Sequence, residues 1–422
     1  MDVVVARCVG LDVHKDSVVA CLRTPGPHGQ QVGQVHTFGT MTVDLLALRD
    51  WLIAHGVTRV GMESTGVYWR PVFYILEDAI EETWLLNAAH MRNVPGRKTD
   101  VADAEWIAQL VEHGLVRPSF VPPPAIRELR ELTRYRKTQI EERTREAQRL
   151  DKNLQDAGLK LSSVASNILG RSGRDMLDAL VAGTRDVDVL ADLARGRLRT
   201  KIPALTQALT GRFGPTHALV IGEILAHLDY LDEAIERVSA RIDEVIAPFV
   251  IERDLLTTIP GVDQRIAEGI IAEIGVDMTR FGSASRLASW AGMCPGQHES
   301  AGKSRSGRSR HGDTHLQKHL AVAAMSAARS KDTYLAAQYA RLVGRRGKPR
   351  ARKAVGHSIL VAAFHMLAGG VPYVDPGGDY YLRRNNPTRR ARKNLNDLKA
   401  LGWALTEDAD GHITCTPPMV AA

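Results

Sequence analysis

An apolar segment near the start of the chain ends in a carboxylate, and this feature limits the possible folds most. Residues 3–11 are mostly β-branched or apolar, which predicts a buried strand, and Asp12 follows at its end. The chain then turns through His14 and Lys15 into a second apolar segment that starts at Ser17. A carboxylate at a sheet centre is costly to bury unless a cation or hydrogen bonds compensate it. Mg²⁺ is one cation that would do so.

Strand-like and helical patterns alternate through the rest of the first 120 residues. The predicted elements, in order, are a helix at 43–55, a strand at 59–63, a helix at 68–78, a strand at 83–87 and a helix at 100–114. Strands that alternate with helices are typical of an α/β sheet, so we expect an α/β domain over residues 1–120.

A run of three prolines at 122–124 predicts a domain boundary. A long charged helix is predicted for 125–155, and apolar residues between Leu228 and Phe249 then repeat at spacings of three and four. This heptad pattern fits two arrangements equally well. One is packing against a neighbouring helix of the same chain, and the other is an antiparallel or intermolecular coiled coil that dimerises the protein.

The predicted organisation therefore has three parts after the α/β domain. They are a helical, coiled-coil region for oligomerisation at 121–250, a mainly α-helical C-terminal domain at 251–370 and a basic tail, expected to be irregular, at 371–422. Within the C-terminal domain, residues 259–275 resemble a helix-hairpin-helix, whose Pro-Gly turn at Gly261 would present backbone N–H groups to a DNA phosphate. The same pattern also fits an ordinary tight turn between packed helices.

Positive charge is concentrated in the last third of the chain. The net charge is +7, and clusters of Arg and Lys follow residue 302, residue 340 and residue 382. Such runs often form a solvated face, but three clusters, one of them in a Ser/Gly-rich loop, favour a surface that neutralises nucleic-acid phosphates.

Cysteine usage and hydropathy indicate the compartment. The four cysteines are scattered and contain no C-x-x-C pair, which argues against a zinc site and fits a reducing cytoplasm. Apolar runs are shorter than the roughly 18 residues of a membrane helix, and the N-terminus lacks a signal-peptide pattern. We therefore expect a cytoplasmic protein without a membrane segment.

Four acidic residues are candidate metal ligands: Asp12, Glu63, Asp100 and Asp103. The first two end separate predicted strands, and the last two are three residues apart at a predicted helix start, hence on one face. Each acid alone has a structural explanation, because turn residues and helix caps are often acidic. Together they have the oxygen ligands that a pair of Mg²⁺ ions requires for phosphoryl transfer. Lys15, Arg97 and Lys98 are candidate phosphate contacts.

Three sequence blocks carry a resemblance to a known family. They are Gly10-Leu11-Asp12-Val13-His14-Lys15, Glu63-Ser64-Thr65-Gly66 and Lys98-Thr99-Asp100-Val101-Ala102-Asp103-Ala104. These blocks resemble those of the DEDD transposases, the Piv-related insertion-sequence recombinases, whose N-terminal domain is similar to the RuvC resolvase (RNase H-like) fold. The residues 259–262 and 292–312 resemble the C-terminal transposase domain of that family.

The resemblance implies a mechanism and partners that the residues alone do not. It implies that Ser300, in Ser300-Ala301-Gly302-Lys303, attacks a DNA phosphodiester and forms a phosphoserine, assisted by carboxylate-bound Mg²⁺. It also implies donor and target DNA, a guide (bridge) RNA and a homo-oligomer, dimer or tetramer. The basic residues after the serine are candidate nucleic-acid contacts: Lys303, Arg305, Arg308 and Arg310.

Two other functions fit the same residues. One is a RuvC-like nuclease or junction resolvase that uses metal-activated water, with Ser300 incidental as a loop serine. The other is a non-catalytic nucleic-acid-binding protein whose acidic residues are structural. Ser304, Ser306 and Ser309 lie close to Ser300 in sequence and are alternative nucleophiles.

Overall fold

The computed structural model describes most of the chain and divides it into two compact units. The described residues are 2–27, 30–63, 66–87, 103–296, 299–300, 302–304, 309, 311–384, 387–407 and 413–417. The units are Met1–Val121 and Pro122–Ala422. No helix in these ranges has the length and apolar character needed to cross a membrane.

The N-terminal unit contains a five-stranded mixed sheet. Its strands are β1 (Cys8–Val13), β2 (Ser17–Pro25), β3 (Gln31–Gly39), β4 (Arg59–Glu63) and β5 (Glu82–Leu86). The strand order is β3-β2-β1-β4-β5, in which β1 pairs antiparallel with β2 and parallel with β4. The predicted α/β class is therefore confirmed for this unit.

Strand β3 and the start of β1 differ from the sequence prediction. β3 is an edge strand that is largely exposed, so it has no alternating apolar pattern, and its nine residues pair in register with β2. The first strand begins at Cys8 and not at Val3, because Val3 and Val4 are 45% and 65% exposed. The apolar residues before Cys8 therefore made the first predicted strand too long. The polar residues of β3 gave no strand pattern, so β3 was not predicted.

Helices cover both faces of the sheet. On one face, α1 (Thr42–Ala54) and α2 (Trp69–Leu76) pack against the apolar residues of β1, β2 and β4. On the other face, α3 (Asp103–Glu112) packs against β1, with Ile107 and Val111 buried beside Leu86 of β5.

Helix α3 makes a very close contact with the backbone of β1. A Cβ atom added to Gly10 would lie 2.2 Å from the Ala104 carbonyl oxygen and 2.3 Å from the Ala108 nitrogen. Near the other end of the strand, the Cys8 thiol donates to the Ala108 carbonyl at 3.7 Å. The helix therefore runs antiparallel to β1, and its N-terminus lies toward the carboxyl end of that strand.

The Pro122–Ala422 unit is built on a hairpin of two long helices, α4 (Pro124–Asp156) and α9 (Pro215–Val245). Arg143 pairs with Asp232 at 2.8 Å and Arg241 pairs with Glu128 at 2.6 Å, so the two helices are antiparallel. Leu228 and other residues of the heptad pattern are buried within the chain. The pattern is thus accounted for by packing inside one chain, and a coiled coil between chains is not confirmed.

Short helices fill the space between the C-terminal end of α4 and the N-terminal end of α9. They are α5 (Leu161–Val164), α6 (Arg171–Val181), α7 (Val187–Asp192), a 3₁₀ helix (Gly196–Lys201) and α8 (Ile202–Leu209). Their apolar residues share one core with Leu150, Leu154 and Leu225 of the long helices. We call residues 147–228 the middle bundle.

The N-terminal half of α4 packs on a second helical layer. This layer comprises α10 (Val250–Thr257), α11 (Gln264–Ile274), α12 (Ala284–Trp290), α13 (Thr314–Ala327), α14 (Tyr334–Arg346) and α15 (Lys348–Gly369). Buried ion pairs join α4 to α11: Arg136 bonds Glu268 at 2.5 Å, and Arg134 bonds both oxygens of Glu273. Charged residues of the predicted long helix therefore fix it to α11.

The C-terminal tail forms regular elements from Tyr380 onward, so the prediction of an irregular tail is wrong for that part. It forms α16 (Tyr380–Arg384), α17 (Pro387–Ala400) and an antiparallel hairpin of β8 (Ala404–Glu407) and β9 (Ile413–Thr416). Proline is favourable at a helix start, and Gly402 adopts a positive φ of 83° after the helix. These local signals were obscured by the high charge.

We predict that Gly10→Ala disrupts the packing of α3 on β1. The new Cβ meets backbone atoms that do not rotate away, so we expect a local destabilisation of about 3 kcal/mol. Hydrogen exchange measured on peptides from β1 and α3 should then be roughly a hundredfold faster.

Gly33→Ala is the matched control. Gly33 lies in β3, and an added Cβ there has no neighbour closer than 4.0 Å. Its exchange should match the wild type. Unchanged exchange in Gly10→Ala would contradict the close contact.

We predict that His319 makes the protein less stable in mild acid. Burial lowers its pKa from 6.5 to about 4, and the Lys137 and Arg136 cations act in the same direction. The unfolded chain therefore binds a proton between pH 6.5 and 4 that the folded protein excludes, so stability falls as pH decreases. We expect a loss of about 2 kcal/mol between pH 7 and pH 5 from this residue.

The measurement is urea denaturation of the wild type and His319→Gln at both pH values. The variant should lose less stability on acidification than the wild type. Equal losses would show that His319 titrates normally in the folded protein.

Candidate active site

Asp12 is the second-last residue of β1, and Glu63 is the last residue of the adjacent parallel strand β4. In the β1–β4 register Gly10 is opposite Gly61 and Leu11 is opposite Met62, so Asp12 and Glu63 occupy the next position on their strands. Side chains alternate along a strand, so both carboxylates point to the same face as the two glycines. That face is the one that α3 covers, because an added Cβ on Gly61 would meet Val111.

The N-terminus of helix α3 lies at the same edge of the sheet, where the carboxyl ends of β1 and β4 meet. Asp103 is its first residue, and the next residue, Ala104, lies against Gly10. Asp103 is partly buried. The positive end of the helix dipole favours acidic residues at this place. The structure thus brings Asp12, Glu63 and Asp103 to one edge, while Asp100, Arg97 and Lys98 lie outside the described residues.

The Asp12 carboxylate already has a partner that sequence analysis did not identify. His14 Nε2 lies 3.1 Å from Asp12 Oδ2, and the His14 N–H donates to the Ser17 carbonyl in the turn between β1 and β2. The only sequence signal for this contact is the two-residue spacing across that turn. Lys15 is exposed in the same turn, and its carbonyl accepts a 2.9 Å bond from the Thr40 hydroxyl.

The donor set at this edge suits a hard divalent cation, because carboxylate oxygens are the ligands that Mg²⁺ prefers. Over the described ranges, however, the structure contains no group of three or more His, Cys, Asp or Glu side chains arranged to hold a metal. Asp12, Glu63 and Asp103 therefore give the position of the predicted metal site. They do not by themselves form a complete set of metal ligands.

Ser300 lies in a short hairpin in the Pro122–Ala422 unit. β6 (Glu299–Ser300) pairs with β7 (Lys303–Ser304), and Ser300 is opposite Lys303. Gly302 turns the chain with a φ of 73°. For Ser300 and Lys303 the structure describes the backbone alone, and Arg305, Arg308 and Arg310 lie outside the described residues.

The base of this loop is tied to the surrounding helices. Pro295 and Ser309 form a β-bridge across the loop, and Lys353 of α15 donates to the Ser309 hydroxyl at 2.7 Å. Gln317 of α13 donates to the Ala291 carbonyl at 2.8 Å. Burial lowers the Lys353 pKa. In the sequence Lys353 was only one member of a basic cluster, but in the fold it anchors the loop that carries Ser300.

The Pro-Gly turn is packed against a neighbouring helix. Gly261 has a φ of 88°, and an added Cβ would lie 2.4 Å from the Ala327 nitrogen of α13. Asp263 caps α11 by accepting from the Ile266 N–H at 2.8 Å. The packing alone explains the glycine, so a DNA contact at Gly261 stays a prediction.

Comparison with known protein families assigns both parts of the chain that carry these sites. Residues 9–158 match the transposase model of the DEDD enzymes of the IS110 group. Residues 253–340 match the model of the IS116/IS110/IS902 transposase family. A search of curated proteins finds no match. Together the two models span more than half of the 422 residues and include Asp12, Glu63, Asp103 and Ser300. The chain therefore belongs to the IS110 family of transposases and is a DNA transposase/recombinase.

Proposed function

We propose that this transposase cuts and rejoins DNA strands through a covalent phosphoserine at Ser300, with Mg²⁺ held by Asp12, Glu63, Asp100 and Asp103. The observation that carries the proposal is the placement of Asp12 and Glu63 at neighbouring strand ends, beside the first residue of α3. A mixed sheet with helices on both faces also supports a RuvC-like N-terminal domain.

The proposed chemistry conserves the energy of the phosphodiester. The Ser300 oxygen forms a bond to phosphorus, the bond from phosphorus to one strand's terminal oxygen breaks, and that strand leaves as a hydroxyl. Attack by the hydroxyl of another strand reverses these events and releases the serine. A serine hydroxyl is a weak nucleophile and requires activation. When bound, Mg²⁺ would lower the nucleophile's pKa and stabilise charge on the phosphate oxygens.

The proposed nucleic-acid partners are donor DNA, target DNA and a guide RNA. The basic residues around the Ser300 hairpin, Lys303, Arg305, Arg308 and Arg310, would contact phosphates, with Lys15, Arg97, Lys98 and the Gly261 turn as further candidates. A homo-oligomer, dimer or tetramer, is part of the same proposal, with the serine of one chain serving the carboxylates of another.

We predict that Ser300→Ala abolishes a covalent protein–DNA adduct. Wild-type protein incubated with supercoiled donor DNA and Mg²⁺ should give a complex that survives denaturation, and the variant should give none, since the attacking oxygen is missing. Ser304→Ala is the matched control and should retain the adduct. Cleavage by Ser300→Ala, without an adduct from the wild type, would instead support a nuclease that uses activated water.

We predict that Asp12→Asn lowers recombination at least about a hundredfold, because it removes a charged oxygen ligand worth several kcal/mol to the transition state. Asp16→Asn is the control, since Asp16 is exposed in the turn that follows β1. The measurement is recombination of donor and target plasmids, with DNA binding measured in parallel. Unchanged recombination in Asp12→Asn would favour a structural role for the acidic residues.

A further inference from the structure

The middle bundle carries a groove that the family comparison does not account for. The two matched segments end at residue 158 and resume at residue 253, so most of the bundle lies between them. The groove has a volume of about 600 Å³ and lies between the loop after α5, the start of α6 and the 3₁₀ helix.

Four cationic residues from two separate segments line the groove. Arg171 comes from the start of α6, and Arg195, Arg197 and Lys201 come from the region of the 3₁₀ helix. Polar side chains of Ser166, Asn167 and Ser172 also line the groove, and apolar residues and glycines form the rest of the wall. The described residues that line it include neither Asp nor Glu, so the charge of the wall is strongly positive.

Internal contacts fix the shape of this groove. The Arg195 N–H donates to the Ser172 hydroxyl at 3.0 Å, and the Arg195 guanidinium pairs with Asp175 at 2.8 Å. Lys201 Nζ donates to the Val164 carbonyl at 3.0 Å. The groove is therefore built by its own hydrogen bonds, and two of its four cations hold the walls together.

The other two cations, Arg171 and Arg197, are exposed and make no ion pair with any residue that the structure describes. This distinguishes them from Arg174 and Arg199 of the same bundle. Arg174 pairs with Asp178 and Asp229, and Arg199 pairs with Asp192. Ion pairs therefore neutralise some guanidinium groups of the bundle, whereas those of Arg171 and Arg197 remain available at the groove.

We infer that this groove binds the phosphate backbone of duplex DNA. Guanidinium groups match phosphate oxygens in charge and geometry. The described lining has no aromatic side chain on which an unpaired base would stack, which favours backbone contact over single-strand binding. DNA is the substrate class of the family to which the chain belongs. The inference does not depend on the Ser300 mechanism, because it concerns binding alone.

The test compares full-length wild type with Arg171→Gln/Arg197→Gln in binding to duplex DNA of random sequence, with EDTA present so that cleavage does not intervene. We expect affinity to fall about tenfold or more at low salt. The slope of log affinity against log salt should decrease in magnitude by about 2, since each lost phosphate contact contributes about 0.9.

Lys152→Gln/Arg212→Gln is the matched control. Both residues are exposed in or beside the same bundle, outside the groove, and the substitution removes the same charge. The control should keep most of the affinity and slope. Equal effects of the two double variants would overturn the inference, because net charge would then explain the result. Thermal melting of both variants verifies that the bundle remains folded.

A parallel measurement uses duplex RNA of the same sequence. Loss of RNA binding with unchanged DNA binding in Arg171→Gln/Arg197→Gln would also overturn the inference. Loss of DNA binding in that variant supports it, whatever the outcome of the Ser300→Ala experiment.

Discussion

The close approach of α3 to β1 is the contact on which the proposed active site depends. Gly10 lets the backbone of Ala104 approach to a distance that any side chain would prevent. This contact fixes where α3 begins relative to the strand, and therefore where Asp103 lies relative to Asp12. The helix start and two strand ends meet at one edge because β1 and β4 are parallel and in register. A sheet with this pairing positions acidic residues from distant parts of the sequence without a dedicated loop.

Buried ion pairs join two helices of the Pro122–Ala422 unit. Arg134 and Arg136 of α4 are fixed by Glu273 and Glu268 of α11, with little exposure of the two glutamates. Removing one partner of such a pair leaves a buried charge, so the pairs act as constraints on helix register more than as sources of stability. Through α13 and α15 the same layer anchors the base of the Ser300 loop at Lys353.

Most of the middle bundle lies outside the two segments that match the family models. The matched segments contain the acidic residues and the serine, whereas the bundle between them has its own core and its own basic groove. The proposed groove is a nucleic-acid surface formed by residues other than those proposed for chemistry. Its arginines differ in their surroundings, and only the fold separates those that are neutralised from those that are not.

Local sequence determined the strands that end in Asp12 and Glu63, the helix that starts near Asp103 and the helical nature of most of the remainder. Apolar periodicity specifies such elements because burial of one face drives their formation. Tertiary structure alone decided that β3 pairs as an exposed edge strand, and that the heptad residues of α9 pack on α4 of the same chain. It also decided that Lys353 anchors a loop and that His14 contacts Asp12. These features depend on which surfaces meet in three dimensions, and a one-dimensional pattern carries no information about the partner.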